Sequence, residues 1–217
     1  DMNNKKHVSL KDLAEELGVS VSTVSRALKD SPEVGEEMRE RVKKLAGEWN
    51  YRPNPFAISL LKNNPRIIGI IVPDIVTHFY SSIISGISDV ARKNHYSVII
   101  TSSYEQYELE KQCVEDLMNI RVEGIIACIS QETTDYAHFE SLIMQRVPLV
   151  FFDRVCLHGR CSCVVADNAE SGKAATEHFL HHGAKRIGFI GGANHLDIVK
   201  QRKHGYLDAL RQYQIPI

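Results

Sequence analysis

The chain has 217 residues, of which 43% are hydrophobic and 24% charged, and its formal net charge is −1. These values are typical of a globular protein that holds one small and one larger domain, and they exclude a low-complexity chain. No apolar run approaches the length that spans a membrane, and the polar N-terminus has no signal-peptide core. We therefore expect a cytoplasmic protein.

The charge is unevenly divided along the chain. Residues 1–66 hold 12 Lys and Arg against 10 Asp and Glu, and the remaining residues hold 14 against 17. The N-terminal part is thus mildly basic, and a few well-placed cations are enough for phosphate contacts. The five cysteines are an odd number and favour free thiols over a disulfide framework.

Two short helices with a tight turn between them are predicted from Ser9 to Lys29. Apolar residues of the first helix recur at one-turn spacing: Leu10, Leu13, Ala14 and Leu17. Ser9 and Asp12 have the spacing of a capping box. Gly18 can take the left-handed backbone that ends a helix.

The second helix has one apolar face and one small, basic face. Ser20 is its predicted N-cap, and Val24 and Leu28 share its inner side. The residues that point outward or flank the core are Val21, Ser22, Ser25, Arg26 and Lys29. Such a face suits a major groove, but helical hairpins with a glycine turn are common. The spacing alone leaves both a DNA-binding and a purely structural hairpin open.

The run from Val19 to Leu28, with Asp12-Leu13-Ala14 before it, resembles the helix-turn-helix of the lactose-repressor/galactose-repressor (LacI/GalR) family. The resemblance extends through nearly the whole chain. It implies a homodimeric bacterial transcriptional repressor that binds double-stranded, partly palindromic operator DNA under the control of a small-molecule effector. We expect major-groove contacts from Val21, Ser22 and Arg26. We expect phosphate contacts from Thr23, Ser25 and Lys29.

A third predicted helix closes the head. Its apolar positions keep helical spacing: Met38, Val42, Leu45, Ala46 and Trp49. Gly35 stands where the family commonly has a Ser or Thr N-cap, and it is a weaker cap. We expect Trp49 to plug the core of a three-helix head spanning residues 1–50.

Residues 51–66 form the predicted hinge and linker. Two prolines make an extended joint, and Asn54 can cap a helix of about eight residues, too short to be stable alone. A plain linker is one interpretation. The segment also resembles the family's hinge helix, which orders on the operator and implies minor-groove contacts by Asn54, Ala57 and Leu60. Leu60 matches the apolar wedge that kinks the duplex, whereas Pro55 and Leu61 depart from the family pattern.

From residue 67 onward, strands alternate with amphipathic helices, which predicts parallel βαβ units. The predicted strands of a first lobe, residues 67–154, are Ile67–Val72, Ser97–Thr101, Gly124–Ile129 and Leu149–Phe152. The predicted helices of this lobe are Phe79–Asn94, Glu108–Ile120 and Tyr136–Gln145.

A second lobe, residues 155–217, is predicted from a restart of the strand–helix pattern. Its predicted elements are Val164–Ala166, Ala169–His182, Arg186–Ile190 and Val199–Gln212. The fold class is therefore an all-α helix-turn-helix head plus an α/β effector domain that resembles periplasmic binding proteins.

Effector contacts are expected beyond the carboxyl ends of the strands. The family resemblance implies contacts by Phe79 and Tyr80, which offer an aromatic face, by Asp153, which can accept two hydrogen bonds, and by Arg202, a forked donor. The family has Asn-Pro where this chain has Thr77-His78, which leaves the effector open between a sugar and another metabolite.

Two enzyme-like signals are weak. The glycines at 188, 191 and 192 do not have the dinucleotide-loop spacing. Four potential zinc ligands cluster between Cys156 and Cys163, but the family carries no metal there. We therefore expect no enzyme activity, cofactor or metal. The alternative is a small-molecule-binding α/β protein or enzyme with an incidental helical head.

The predicted second lobe holds two strand–helix units, against four strands in the first lobe. Because the lobes of the family are of similar size, the resemblance implies a truncated member with an incomplete second lobe. Small parallel sheets leave apolar faces and strand edges uncovered. We expect that lobe to be strained and to bind effector poorly.

Overall fold

The computed structural model describes residues 8–51 and 65–216, which belong to two compact units spanning residues 1–63 and 64–217. The hinge positions Asn54, Ala57 and Leu60 lie outside the described residues. Within the described ranges, no helix is long and apolar enough to cross a membrane.

The head contains the three predicted helices, α1 (Leu10–Leu17), α2 (Val21–Ala27) and α3 (Glu36–Glu48). The predicted capping box is present, because the Ser9 N–H donates to Asp12 Oδ2 at 2.7 Å and the Asp12 N–H donates to Ser9 Oγ at 3.3 Å. Gly18 ends α1 with a φ of 63°, a conformation that most side chains disfavour. These local signals fix the turn between α1 and α2.

One small core holds the head together. Its buried members come from all three helices and the loop before α3: Leu13, Ala14, Val24, Ala27, Val34, Val42 and Ala46. Trp49 packs against this cluster, as predicted, and Leu28 is a partly buried neighbour. Gly35 offers no side-chain hydrogen bond to the start of α3, so that end is the weaker cap expected from the sequence.

The second unit is built on a parallel sheet in the order β2-β1-β3-β4-β5. The strands are β1 (Ile67–Val72), β2 (Ser97–Ser102), β3 (Gly124–Ala127), β4 (Leu149–Phe152) and β5 (Ser162–Val164). The helices are α4 (His78–Lys93), α5 (Tyr107–Ile120) and α6 (Ala137–Met144) in the first part, then α7 (Asn168–His181) and α8 (Asp197–Gln212). The first four strands and three helices confirm the predicted βαβ pattern to within two residues at each end.

Each face of this sheet has its own core. One cluster includes Ile71, Leu117 and Phe151, and the other includes Ile70, Tyr80 and Phe152. The alternation of β1 side chains between the two clusters follows the two-residue period of a strand. The carboxyl ends of the five strands therefore share one edge, with both faces covered.

The prediction that the strand near Val164 begins a second lobe is wrong. β5 pairs in parallel with β4, and Phe152 lies opposite Val164. It is thus a fifth strand of the first sheet, not the first strand of a second one. The sequence pattern predicts that a strand exists, but its periodicity does not indicate which strand it pairs with.

The predicted strand Arg186–Ile190 is absent, because this segment pairs with no strand among the described residues. It contacts α8, whose Tyr206 hydroxyl donates to the Ile187 carbonyl at 2.9 Å.

Helices α7 and α8 pack at very short range through two glycines. A Cβ at Gly205 would lie 1.9 Å from the Ala169 carbonyl oxygen, and one at Gly172 would lie 2.3 Å from the carbonyl oxygen of Arg202.

Candidate functional site

The outer face of α2 is presented to solvent. Val24 and Ala27 are fully buried against the head core, whereas Val21 is 43% exposed and Ser22, Arg26 and Lys29 are exposed. Thr23 and Ser25 are partly buried at the flanks. The face predicted to meet base edges is therefore accessible in the head, held in place by the buried side of the same helix.

The hydroxyl groups at the start of α2 form one hydrogen-bonded group. Ser20 Oγ accepts from the Thr23 N–H at 3.1 Å and lies 2.8 Å from Ser22 Oγ and 2.9 Å from Thr23 Oγ1. The cap satisfies an otherwise unpaired helix N–H. Thr23 and Ser22 therefore also help to begin the helix, in addition to their predicted DNA contacts.

Arg26 has a partner that helical spacing does not predict. Its Nε lies 3.2 Å from Glu33 Oε2, and both side chains are more than half exposed. Exposed ion pairs contribute about 0–1 kcal/mol, so the guanidinium can be released to another anion at small cost. A second pair joins Asp30 to Lys43, and the hydrogen bond from Lys43 lowers the pKa of Asp30.

The two aromatic residues in the first turn of α4, directly after β1, have different roles. Phe79 is 47% exposed, whereas Tyr80 is only 6% exposed and belongs to the core. Their ring centres are 5.2 Å apart in an edge-to-face contact, and burial raises the pKa of Tyr80. Phe79 can offer a ring face to a ligand, while Tyr80 contacts the Phe79 ring from the core.

Asp153 stands directly after β4 with a φ of 58°, and its N–H donates to the Val164 carbonyl at 3.1 Å. Burial raises the pKa of its carboxyl group, which the nearby charges of Arg154 and Arg202 partly offset. Cys128 lies between Tyr80 and Asp153, because its Sγ is 3.6 Å from the Tyr80 hydroxyl and 3.9 Å from Asp153 Oδ2. The structure thus brings Phe79, Tyr80 and Asp153 together at one sheet edge.

Arg202 lies on α8, where its side chain contacts α7. Its Nε donates to Asn168 Oδ1 at 3.0 Å, which ties α8 to the start of α7. It lines a pocket of about 310 Å³ whose walls are α7, α8 and residues 187–189. The lining residues of this pocket include none of Phe79, Tyr80 and Asp153, although the charge of Arg202 acts to lower the pKa of Asp153.

The carboxyl edge of the sheet holds further polar groups that the sequence analysis did not single out. Arg154 Nη1 donates to both oxygens of Glu105 at 2.7 and 2.9 Å, and Glu105 also accepts the Gln131 N–H at 2.7 Å. Fully buried Glu110 accepts from Thr133 Oγ1 at 2.8 Å and lies 2.9 Å from His138 Nε2. A systematic search for polar residues after each predicted strand could have found the Glu105–Arg154 pair.

The cysteine cluster does not form a metal centre in the described part of the chain. All five cysteines are free thiols. Among the residues that the structure describes, no group of three or more His, Cys, Asp or Glu side chains could hold a metal ion. Cys156 is buried and Cys163 is exposed, and burial raises the pKa of the Cys156 thiol.

Together, the fold and the two sites define a two-part protein, with a helix-turn-helix head and a parallel α/β domain whose polar groups gather at the carboxyl edge of the sheet. Residues 2–54 match the family model described as bacterial regulatory proteins, lacI family. Residues 66–216 match the model described as periplasmic binding proteins and sugar binding domain of LacI family. The chain belongs to the LacI family.

Three relatives illustrate the likeness. The HTH-type transcriptional regulator MalR of Streptococcus pneumoniae is 34% identical over 213 residues, which are 96% of this chain and 64% of MalR. The ribose operon repressor of Bacillus subtilis is 35% identical over 95% of this chain and 61% of its own length. A crystal structure of the lac repressor dimer bound to operator and the anti-inducer ONPF superposes with a TM-score of 0.74 at 26% identity, covering 97% of this chain and 64% of the repressor. This chain thus spans less than two thirds of these relatives.

Proposed function

We propose that this protein is a sequence-specific DNA-binding transcriptional regulator of the repressor type, controlled by a small-molecule effector and without enzyme activity. The observation that carries the proposal is the exposed face of α2, with Val21, Ser22 and Arg26 outward and Val24 buried behind them. A helix anchored in this way fits the major groove, where side chains read base edges. Its place of action would be the bacterial cytoplasm, on chromosomal DNA.

Fluorescence anisotropy with labelled duplexes tests this proposal against the alternative of a small-molecule-binding protein or enzyme with an incidental head. At moderate salt, an operator-like, partly palindromic duplex should bind more tightly than a random duplex of equal length. Equal affinity for both duplexes, at every salt concentration, would favour the alternative.

We also propose that the protein acts as a homodimer through α4 and the edge strand β2. Apolar side chains are exposed just before α4, in α4 and in β2, with Val76 at 85%, Val90 at 62% and Ile100 at 44%, respectively. A second copy of this chain is the occupant that a palindromic site requires, because two heads must read two half-sites.

Leu60 is proposed to act as a minor-groove wedge, next to contacts by Asn54 and Ala57. Leu60→Ala should leave both folded units intact and reduce DNA bending and specific affinity together, because the cost of unstacking is recovered only in the bent complex. Fluorescence transfer between dyes at the two ends of the site measures the bend. If the variant bends DNA as strongly as the parent, Leu60 is not a wedge.

The effector is proposed to contact Phe79 and Asp153, with Tyr80 supporting Phe79 and Arg202 approaching from α8. An exposed ring and a half-buried carboxylate at the same edge of the sheet suit a polyhydroxylated ligand, because sugars pair an apolar ring face with hydroxyl donors. These features favour a sugar over other metabolites.

Asp153→Asn should weaken binding of such a sugar about tenfold or more, because hydrogen bonds to a charged acceptor contribute about 1.5–3 kcal/mol. Calorimetry with a panel of pentoses, hexoses and disaccharides measures the loss. Asp116→Asn, an exposed carboxylate on α5, is the matched control. Equal affinities of parent and Asp153→Asn for the sugar that binds would remove Asp153 from the site.

A further inference from the structure

The C-terminal end of α7 carries two histidines one helical turn apart. His178 and His182 are both exposed, and their ring centres are 4.3 Å apart with the planes inclined by 38°. Residues four apart lie on the same side of a helix, so this pair faces solvent together. It takes no part in the proposed DNA or effector contacts.

The protonation of one ring is fixed by the helix itself. His182 Nδ1 lies 2.8 Å from the carbonyl oxygen of His178, which can only accept, so Nδ1 carries the hydrogen. The lone pair of His182 is then on Nε2. Metal-binding histidines in proteins commonly have this arrangement, in which a backbone carbonyl holds one ring nitrogen and leaves the other for the ion.

The spacing of the rings also fits a shared ion. Two imidazoles that bind one ion side by side, each through nitrogen at about 2.1 Å, place their ring centres about 4.6 Å apart for a right angle at the metal. The observed distance of 4.3 Å between the ring centres is close to this value. The carboxyl end of a helix also carries partial negative charge, which favours a cation.

We propose that His178 and His182 form a two-histidine binding site for a divalent transition metal ion of the nickel, copper or zinc class. Imidazole nitrogen suits these ions, whereas Mg²⁺ and Ca²⁺ prefer oxygen ligands. Water completes the coordination, because no third His, Cys, Asp or Glu joins the pair in the described part of the chain. The bound ion clamps the last turn of α7.

The neighbouring histidine provides a natural comparison. His181 is also exposed, but its Nε2 is 2.7 Å from the hydroxyl of Tyr213, which directly follows α8, so this ring already has a partner. His204 on α8 is also exposed and is paired with Asp208 at 3.0 Å. Neither ring belongs to the proposed site, and each can be removed without touching it.

Isothermal titration of the full, untagged chain with nickel, zinc and copper salts tests the site. The parent should bind all three ions, copper most tightly, as the usual order of transition-metal affinities requires. His178→Asn and His182→Asn should each weaken nickel binding more than about tenfold, because either change turns a two-point attachment into a single contact. His181→Asn and His204→Asn should bind nickel as the parent does.

Thermal melting gives a second readout. Because the ion binds the folded helix, saturating nickel should raise the Tm of the parent and of both controls, but not that of His178→Asn or His182→Asn. Circular dichroism verifies that every variant is folded. Parent-like nickel affinity in His178→Asn and His182→Asn, or an equal loss in His204→Asn, would overturn the assignment.

Discussion

Arg26→Ala should weaken binding to a specific operator by about 1–3 kcal/mol and reduce the preference for operator over random DNA, which is the expected effect of removing a base-edge contact. Arg26 is an exposed forked donor on the outer face of α2, and its partner Glu33 is itself exposed. Binding to random duplex should change much less, since phosphate contacts dominate there. Titration of labelled operator and random duplexes measures both.

Glu33→Gln is the matched control for this variant. It removes the ion pair while leaving the guanidinium in place, and it also removes a negative charge beside the DNA-facing side. Operator affinity should therefore stay equal or rise slightly. A loss of specificity in Glu33→Gln as large as in Arg26→Ala would mean that the pair positions α2 and that Arg26 does not read a base.

Gly205→Ala should destabilise the second unit by at least about 2 kcal/mol, toward the upper end of the cost of overpacking. The added Cβ would lie 1.9 Å from the Ala169 carbonyl oxygen and 2.7 Å from the Lys173 backbone nitrogen. Backbone atoms cannot turn aside as a flexible side chain can, so α7 and α8 must separate. The gain of about 1 kcal/mol from replacing a helical glycine is too small to compensate.

Gly47→Ala is the corresponding control in α3, where nothing lies within 4 Å of the new Cβ. It should be neutral or slightly stabilising, by up to about 1 kcal/mol. Urea denaturation followed by circular dichroism compares the two variants. Equal stability of Gly205→Ala and parent would show that α7 and α8 are not packed as closely in solution.

The parts of the fold that the sequence predicts correctly are those decided locally. The capping box of Ser9 and Asp12 and the turn at Gly18 depend on residues within a few positions, so their pattern is enough. The presence of a strand near Val164 is also predicted correctly, but its pairing with Phe152 of the preceding strand β4 is not a local property of the strand. Periodicity carries no information about which edge a strand joins.

In the candidate sites, too, the features decided by local sequence are the ones that the sequence predicts. The exposed face of α2 could be derived from helical spacing, but the Arg26–Glu33 pair bridges a helix and a loop whose path the spacing does not fix. The family resemblance predicts Phe79 and Asp153 as effector contacts, and both stay predictions. It could not show that Tyr80 is buried, or that Arg202 lies in a pocket between two helices, because both depend on packing.

The most direct test of sequence-specific DNA binding is selection of duplexes from a random-sequence library by the full chain, followed by sequencing. A two-headed protein that reads base edges should enrich a partly palindromic consensus. The consensus that Arg26→Ala selects should specify the base at one or more fewer positions than the consensus of the parent. Repeated selection that leaves the library random, while the head remains folded, would contradict the proposed regulator.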